Sequence, residues 1–136
     1  MNNKNKKVLI LCTGNSCRSI IAEALINAEL ENIEAQSSGV KASGRVNPNA
    51  KKILEENNIW SEHYHSKTID KVLEKSFDLV VTVCGNAQES CPTFPQKTKV
   101  IHVGFEDPDG HEYSAFQECY HDIKNTLLPH VKKALQ

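Results

Sequence analysis

The stretch Val8-Leu9-Ile10-Leu11-Cys12-Thr13-Gly14-Asn15-Ser16-Cys17-Arg18-Ser19 decides the fold. Four consecutive apolar residues read as a strand covered on both faces, the pattern of a parallel sheet rather than a half-exposed antiparallel one. Cys12-Thr13-Gly14-Asn15-Ser16 is turn-prone, and from residue 18 to about 30 Ile21, Leu25 and Ala28 recur at helical spacing among good helix formers. The order is strand, tight loop, helix.

Working outward, residues 36–40 read as a second strand, and Asn47-Pro48 as the cap and first position of a helix running through Ile53 and Leu54 to about Asn57. Residues 68–75 predict a short helix with Ile69, Val72 and Leu73 on one face. Residues 78–83 form a third strand that, like the first, ends in a cysteine, and residues 99–103 a fourth, followed by the turn Asp107-Pro108-Asp109-Gly110. Ser114 with Gln117 predicts a capping box, and Phe116, Tyr120, Ile123, Leu127 and Val131 mark a long final helix that Pro129 should kink. Strands alternating with helices imply the α/β class: a polar tail over residues 1–7, then one domain over residues 8–136, a four-stranded parallel sheet with helices on both faces. In such sheets ligands bind at the carboxyl ends of the strands, where Cys12, Cys84 and the turn at 105–110 fall.

A length of 136 residues suits one compact domain. Sixteen basic against 17 acidic residues leave a net charge of −1, so no strong field points to nucleic acid or an anionic membrane. No run approaches the roughly 20 apolar residues of a membrane span, and the start lacks the apolar core of a signal peptide, so a cytoplasmic monomer is expected. Of the basic residues only Arg18 and Arg45 are arginine, which leaves few candidates for a bidentate anion contact. Five cysteines (Cys12, Cys17, Cys84, Cys91, Cys119) are many for a chain whose thiols stay reduced, and their odd number argues against a closed disulfide framework.

Cys12 and Arg18 enclose five residues, followed by Ser19. Five residues can curl around a tetrahedral oxyanion with successive backbone N–H groups pointing inward, while the helix starting near Cys17 adds its positive end. Arg18 can clamp two anion oxygens, and the same N–H groups should lower the Cys12 thiol from its free value of about 8.5, making it a nucleophile. The candidate substrate-binding residues are therefore Thr13, Gly14, Asn15, Ser16, Cys17, Arg18 and Ser19, with Ser19 donating to the Cys12 sulfur, Gly14 letting the backbone approach the anion, and Asn15 holding the loop by side-chain hydrogen bonds. The competing reading is a loop that merely contains a buried cysteine and an arginine.

Asp107 sits at the sheet end where Cys12 should lie, placed to protonate an oxygen leaving the anion; ordinary turn chemistry would explain it equally well. Cys84 and Cys91 flank a polar segment. They are a zinc site with Cys12 and Cys17, two unrelated buried thiols, or a pair that approaches when the segment refolds, since a disulfide needs Cα atoms about 4.4 to 6.8 Å apart.

These residues resemble the thioredoxin-coupled arsenate reductases, which share the fold of the low-molecular-weight protein tyrosine phosphatases. Residues 12–19 with Ala22-Glu23 resemble the family's phosphate loop, Val80-Val81-Thr82-Val83-Cys84 and Ser90-Cys91-Pro92 its relay segment, and Gly104-Phe105-Glu106-Asp107-Pro108 its acid turn. Ser37-Ser38-Gly39 and Val46-Asn47-Pro48 are also similar to family segments. The resemblance implies that Cys12 attacks arsenate held by the loop and Arg18 while Asp107 protonates the departing oxygen. Cys84 then forms a disulfide with Cys12 and releases arsenite, and Cys91 exchanges to give Cys84–Cys91, which thioredoxin reduces. No bound cofactor is implied, because electrons come from NADPH only indirectly, and phosphate or sulfate would compete with arsenate. Cys17 and Cys119 fall outside the relay, Cys119 as a core residue. Some members bind potassium through side chains corresponding to Asn15, Glu23 and Ser37; Ser66-Lys67 falls at the fourth place, where a lysine opposes a cation, so no metal is expected. A tyrosine phosphatase needs the same loop and acid without the relay and is the alternative.

Overall fold

The computed structural model describes residues 6–71, 76–85 and 98–135. The part of the expected helix beyond residue 71, and Cys91 with its polar segment, lie outside them.

Strand β1 (Lys6–Cys12) begins two residues before the apolar run, because its backbone pairing with β2 (Ile33–Gly39) continues to Lys6 opposite Ile33 whatever the side chains; Lys6 and Lys7 are exposed. The last two residues of the expected tail thus belong to the strand. Strands β3 (Leu79–Thr82) and β4 (Lys99–His102) complete a sheet of order β2-β1-β3-β4, parallel throughout. Val8, Leu9, Ile10 and Leu11 are all fully buried although alternate side chains face opposite ways, so both faces of β1 are covered. β4 is an edge strand, and Val100 on it is exposed.

The chain leaves β1 through helix α1 (Arg18–Glu29) to β2 on one side, and β3 joins β1 on the other. The order reverses beside β1, which makes the carboxyl end of β1 the switch point of the sheet. With Leu11 opposite Thr82, the residues after β1 and after β3 emerge side by side. That register is what brings Cys12 and Cys84 together.

Helix α2 (Pro48–Glu56) starts as the sequence predicts: Asn47 accepts a hydrogen bond from the Asn49 N–H and Pro48 follows. Residues 69–71 form only a 3-10 turn. Helix α3 (Tyr113–Asp122) is capped at Glu112 without a side-chain bond, so the expected Ser114–Gln117 box does not form; Ser114 already lies inside the first turn. The final helix is broken, as Pro129 requires. A π-helical turn at Ile123–Leu127 separates α3 from α4 (Leu128–Ala134), and the widened turn accommodates the missing N–H and the ring at Pro129. Phe116, Tyr120, Ile123, Leu127 and Val131 all enter the core, as does Cys119. α1 packs against α2, α3 and the π-helical turn. Among the described residues no helix is long and apolar enough to cross a membrane.

Candidate active site

The loop after β1 is held from outside. Val40 N donates to Cys12 O, Lys41 N to Thr13 O, Ser43 N to Gly14 O and Asn47 N to Ser16 O, at 2.9 to 3.0 Å. A trans peptide carries its N–H opposite its carbonyl, so turning the carbonyls outward turns the N–H edges toward the centre of the loop. α1 begins at its end with no acidic residue in the first turn, which leaves the positive end of the helix uncompensated by a side chain. This is an oxyanion cradle made of backbone.

Asn15 locks it. Its backbone is left-handed, with φ at 51°, and its buried side chain donates to Ser19 Oγ at 2.7 Å and Ser37 Oγ at 2.9 Å while accepting from the Lys67 N–H at 2.8 Å. Ser37 Oγ in turn donates to Glu23 Oε1 at 2.5 Å. Burial pushes the Glu23 carboxyl up, opposed by the Ser37 bond and by the charges of Lys67 and His65. Asn15, Glu23 and Ser37 thus spend polar atoms on one another beside a lysine, a set that does not suit a bound potassium ion. Close packing falls at Gly39 rather than Gly14. A Cβ on Gly39 would lie 2.4 Å from Thr13 O, whereas one on Gly14 would meet only Ser16 Oγ at 3.6 Å.

Cys12 is buried at the foot of the loop, with the Cys84 thiol near enough to act on its charge. Thr13 Oγ1 is 3.1 Å from Cys84 Sγ, so one loop residue holds the second thiol against the first. The expected low Cys12 pKa is not found. Burial pushes the thiol up to about 12; Arg18 and the Thr13 N–H pull it down, and Cys84 adds to the rise. Desolvation outweighs the pull of Arg18, whose Nη1 donates to Phe105 O at 3.0 Å and whose Nη2 lies 3.4 Å from Asp107 Oδ2. Arg18 Nε is buried with no hydrogen-bond partner among the described residues. Ser19 Oγ accepts from Asn15 Nδ2.

Asp107 stands where the sequence places it, at the rim beside Arg18, with its other oxygen accepting from the Asp109 N–H at 3.0 Å. β4 carries it there, since Val103 N donates to Thr82 O and Phe105 N to Val83 O, extending the pairing with β3 toward the loop. Cys17 keeps its backbone in the loop, but its thiol is 3.6 Å from Ser16 Oγ and buried, which pushes it up to about 11. Among the described residues no three His, Cys, Asp or Glu side chains form a set that could hold a metal, so Cys12, Cys17 and Cys84 are not gathered as zinc ligands. Sequence reasoning missed the Phe105 carbonyl, the steric demand at Gly39 and the Asn47–Asp109 bond described below. Only Gly39 carried a signal, as a glycine ending a strand beside the loop.

The chain belongs to the low molecular weight phosphotyrosine protein phosphatase family, whose model matches residues 7–136. Within it the chain is 45% identical over 124 residues to arsenate reductase 1 of Bacillus cereus, covering 90% of this chain and 91% of that protein. It is also similar to the crystal structure of arsenate reductase from Archaeoglobus fulgidus, with a TM-score of 0.79, 32% identity and 92% and 98% of the two chains covered. The low molecular weight protein tyrosine phosphatase from T. tengcongensis superposes with a TM-score of 0.79 at 25% identity, over 95% and 99% of the chains.

Proposed function

We propose that this protein reduces arsenate to arsenite, with Cys12 as nucleophile, Asp107 as general acid and Cys84 and Cys91 as a thiol relay that thioredoxin recharges. The observation that carries the reading is the second thiol beside the nucleophile: the β1–β3 register sets Cys84 next to the loop, and Thr13 Oγ1, from the residue after Cys12, holds its sulfur at 3.1 Å. Ester hydrolysis has no use for it. The similarity to proteins named arsenate reductase supports the same reading.

In this scheme the loop N–H groups and Arg18 hold arsenate, which frees Asp107 from Arg18; the Cys12 thiol gives its proton to the Asp107 carboxylate, and the sulfur attacks arsenic. An S–As bond forms as an As–OH bond breaks, and Asp107 gives the proton with which the hydroxide leaves as water. Cys84 then attacks Cys12 Sγ; the S–S bond forms, the S–As electron pair stays on arsenic, and arsenic(V) departs as arsenite. Cys91 attacks Cys84, freeing Cys12 and leaving Cys84–Cys91 for reduction by thioredoxin. The chain's own residues suffice, with NADPH acting only through thioredoxin, in a cytoplasmic monomer. The loop, Arg18 and Asp107 also serve phosphate-ester hydrolysis, supported by family membership as a weak side activity.

The test is arsenite release under thioredoxin, thioredoxin reductase and NADPH, beside hydrolysis of a small aryl phosphate. Stoichiometric arsenite and NADPH oxidation are expected. Rapid ester hydrolysis with no arsenite would put the phosphatase reading first.

A further inference from the structure

Asn47 Nδ2 donates to Asp109 Oδ1 at 2.7 Å, joining residues 62 positions apart. Both ends are tied to the site. The Asn47 N–H donates to Ser16 O in the loop, and the Asp109 N–H holds Asp107, whose other oxygen meets Arg18. Asn47 Oδ1 also caps α2 through the Asn49 N–H at 2.8 Å, so the amide cannot rotate without losing both bonds. The pair lines a recess of about 260 Å³ that includes Ser16, Arg45 and Pro48 and has no aromatic residue in its wall. Tyr113, the aromatic residue after the acid turn, faces α2 instead: its hydroxyl bonds Glu56 and Lys52 Nζ stands 4.4 Å from its ring centre.

We propose that the Asn47–Asp109 bond is a specificity latch that admits a bare tetrahedral oxyanion and works against phosphate esters. The inference rests on the reading of Cys12, Arg18 and Asp107 as the oxyanion site. Asp109 shares its turn with Asp107 and Asn47 is bonded to Ser16 of the loop, so the latch closes the rim between the acid and the start of α2, and an organic group on the oxygen beside Asp107 meets that rim. The leaving group of arsenate there is only a hydroxyl. Parting the segments breaks a hydrogen bond to a carboxylate, a class roughly twice as strong as a neutral one.

Calorimetric titration of the reduced protein with inorganic phosphate and with benzylphosphonate tests this. In wild type, phosphate binds and benzylphosphonate binds more weakly. Asp109→Ala removes the acceptor but keeps the N–H that holds Asp107, and Asn47→Asp keeps an α2 cap while setting like charges together. Each should shift the affinity ratio toward benzylphosphonate about tenfold, or about 1.4 kcal/mol. Asp109→Asn retains an oxygen acceptor without its charge and should fall between wild type and Asp109→Ala. Using the ratio cancels any effect of the lost charge on anions in general. An unchanged ratio in Asp109→Ala and Asn47→Asp, with phosphate still bound, would overturn the latch alone. Failure of wild type to bind either anion would overturn the oxyanion site and the latch with it.

Discussion

Arg18 Nη2 lies 3.4 Å from Asp107 Oδ2, so the residue proposed to clamp the anion is paired with the residue proposed to supply the proton. A neutral carboxylic acid cannot form this ion pair, and the Nη2 so engaged is not offered to an oxyanion. In the proposed scheme substrate competes with Asp107 for Arg18, and its entry frees the carboxylate to take up the Cys12 proton.

Asp107→Asn should slow single-turnover arsenite release by about 10²- to 10⁴-fold, the usual range for one general acid. Oxyanion affinity should not fall, because the variant holds Arg18 less strongly. Unchanged adduct formation on Cys12 would reduce the turn to a structural role.

Arg18→Lys should be nearly inactive, since an ammonium cannot reproduce two parallel contacts to one anion. Steady-state rates near wild type would remove Arg18 from the site.

The buried thiols predict a loss of stability at alkaline pH. Burial raises Cys12 and Cys119 to about 12 and Cys17 to about 11, from 9.0. Above pH 9 the unfolded chain gives up thiol protons that the folded chain keeps, so the folded state is favoured below that pH and loses ground as pH rises toward 12. Urea midpoints under reducing conditions should be flat below pH 8 and fall from about pH 9. Cys119→Ala should be less stable at pH 7 and fall less steeply. A wild-type midpoint that held constant to pH 10.5 would contradict the placement of these thiols.

Much of this was legible in sequence, for a physical reason in each case. Val8 to Leu11 announce a strand covered on both faces, and the C-x5-R spacing with a helix behind it announces the cradle; both signals are local. The Cys12 ionisation was misread because its main cause, burial beside Cys84, depends on the register of β1 against β3, which no local pattern encodes. The capping box failed because α3 starts one residue before Ser114, a shift within the usual uncertainty of helix ends. Gly39 illustrates the same limit: its need for a bare Cα comes from Thr13, which only the folded loop brings within 2.4 Å of a Cβ.

The central claim is that Cys84 attacks Cys12, and one turnover of Cys91→Ser isolates that step. Mixed with excess arsenate without thioredoxin, the reduced variant should release one arsenite per protein and yield, on peptide mapping, a Cys12–Cys84 disulfide. Cys84→Ser should release none and retain arsenic on Cys12, while both variants still hydrolyse a small aryl phosphate. Sustained thioredoxin-driven arsenate reduction by both variants would contradict the relay.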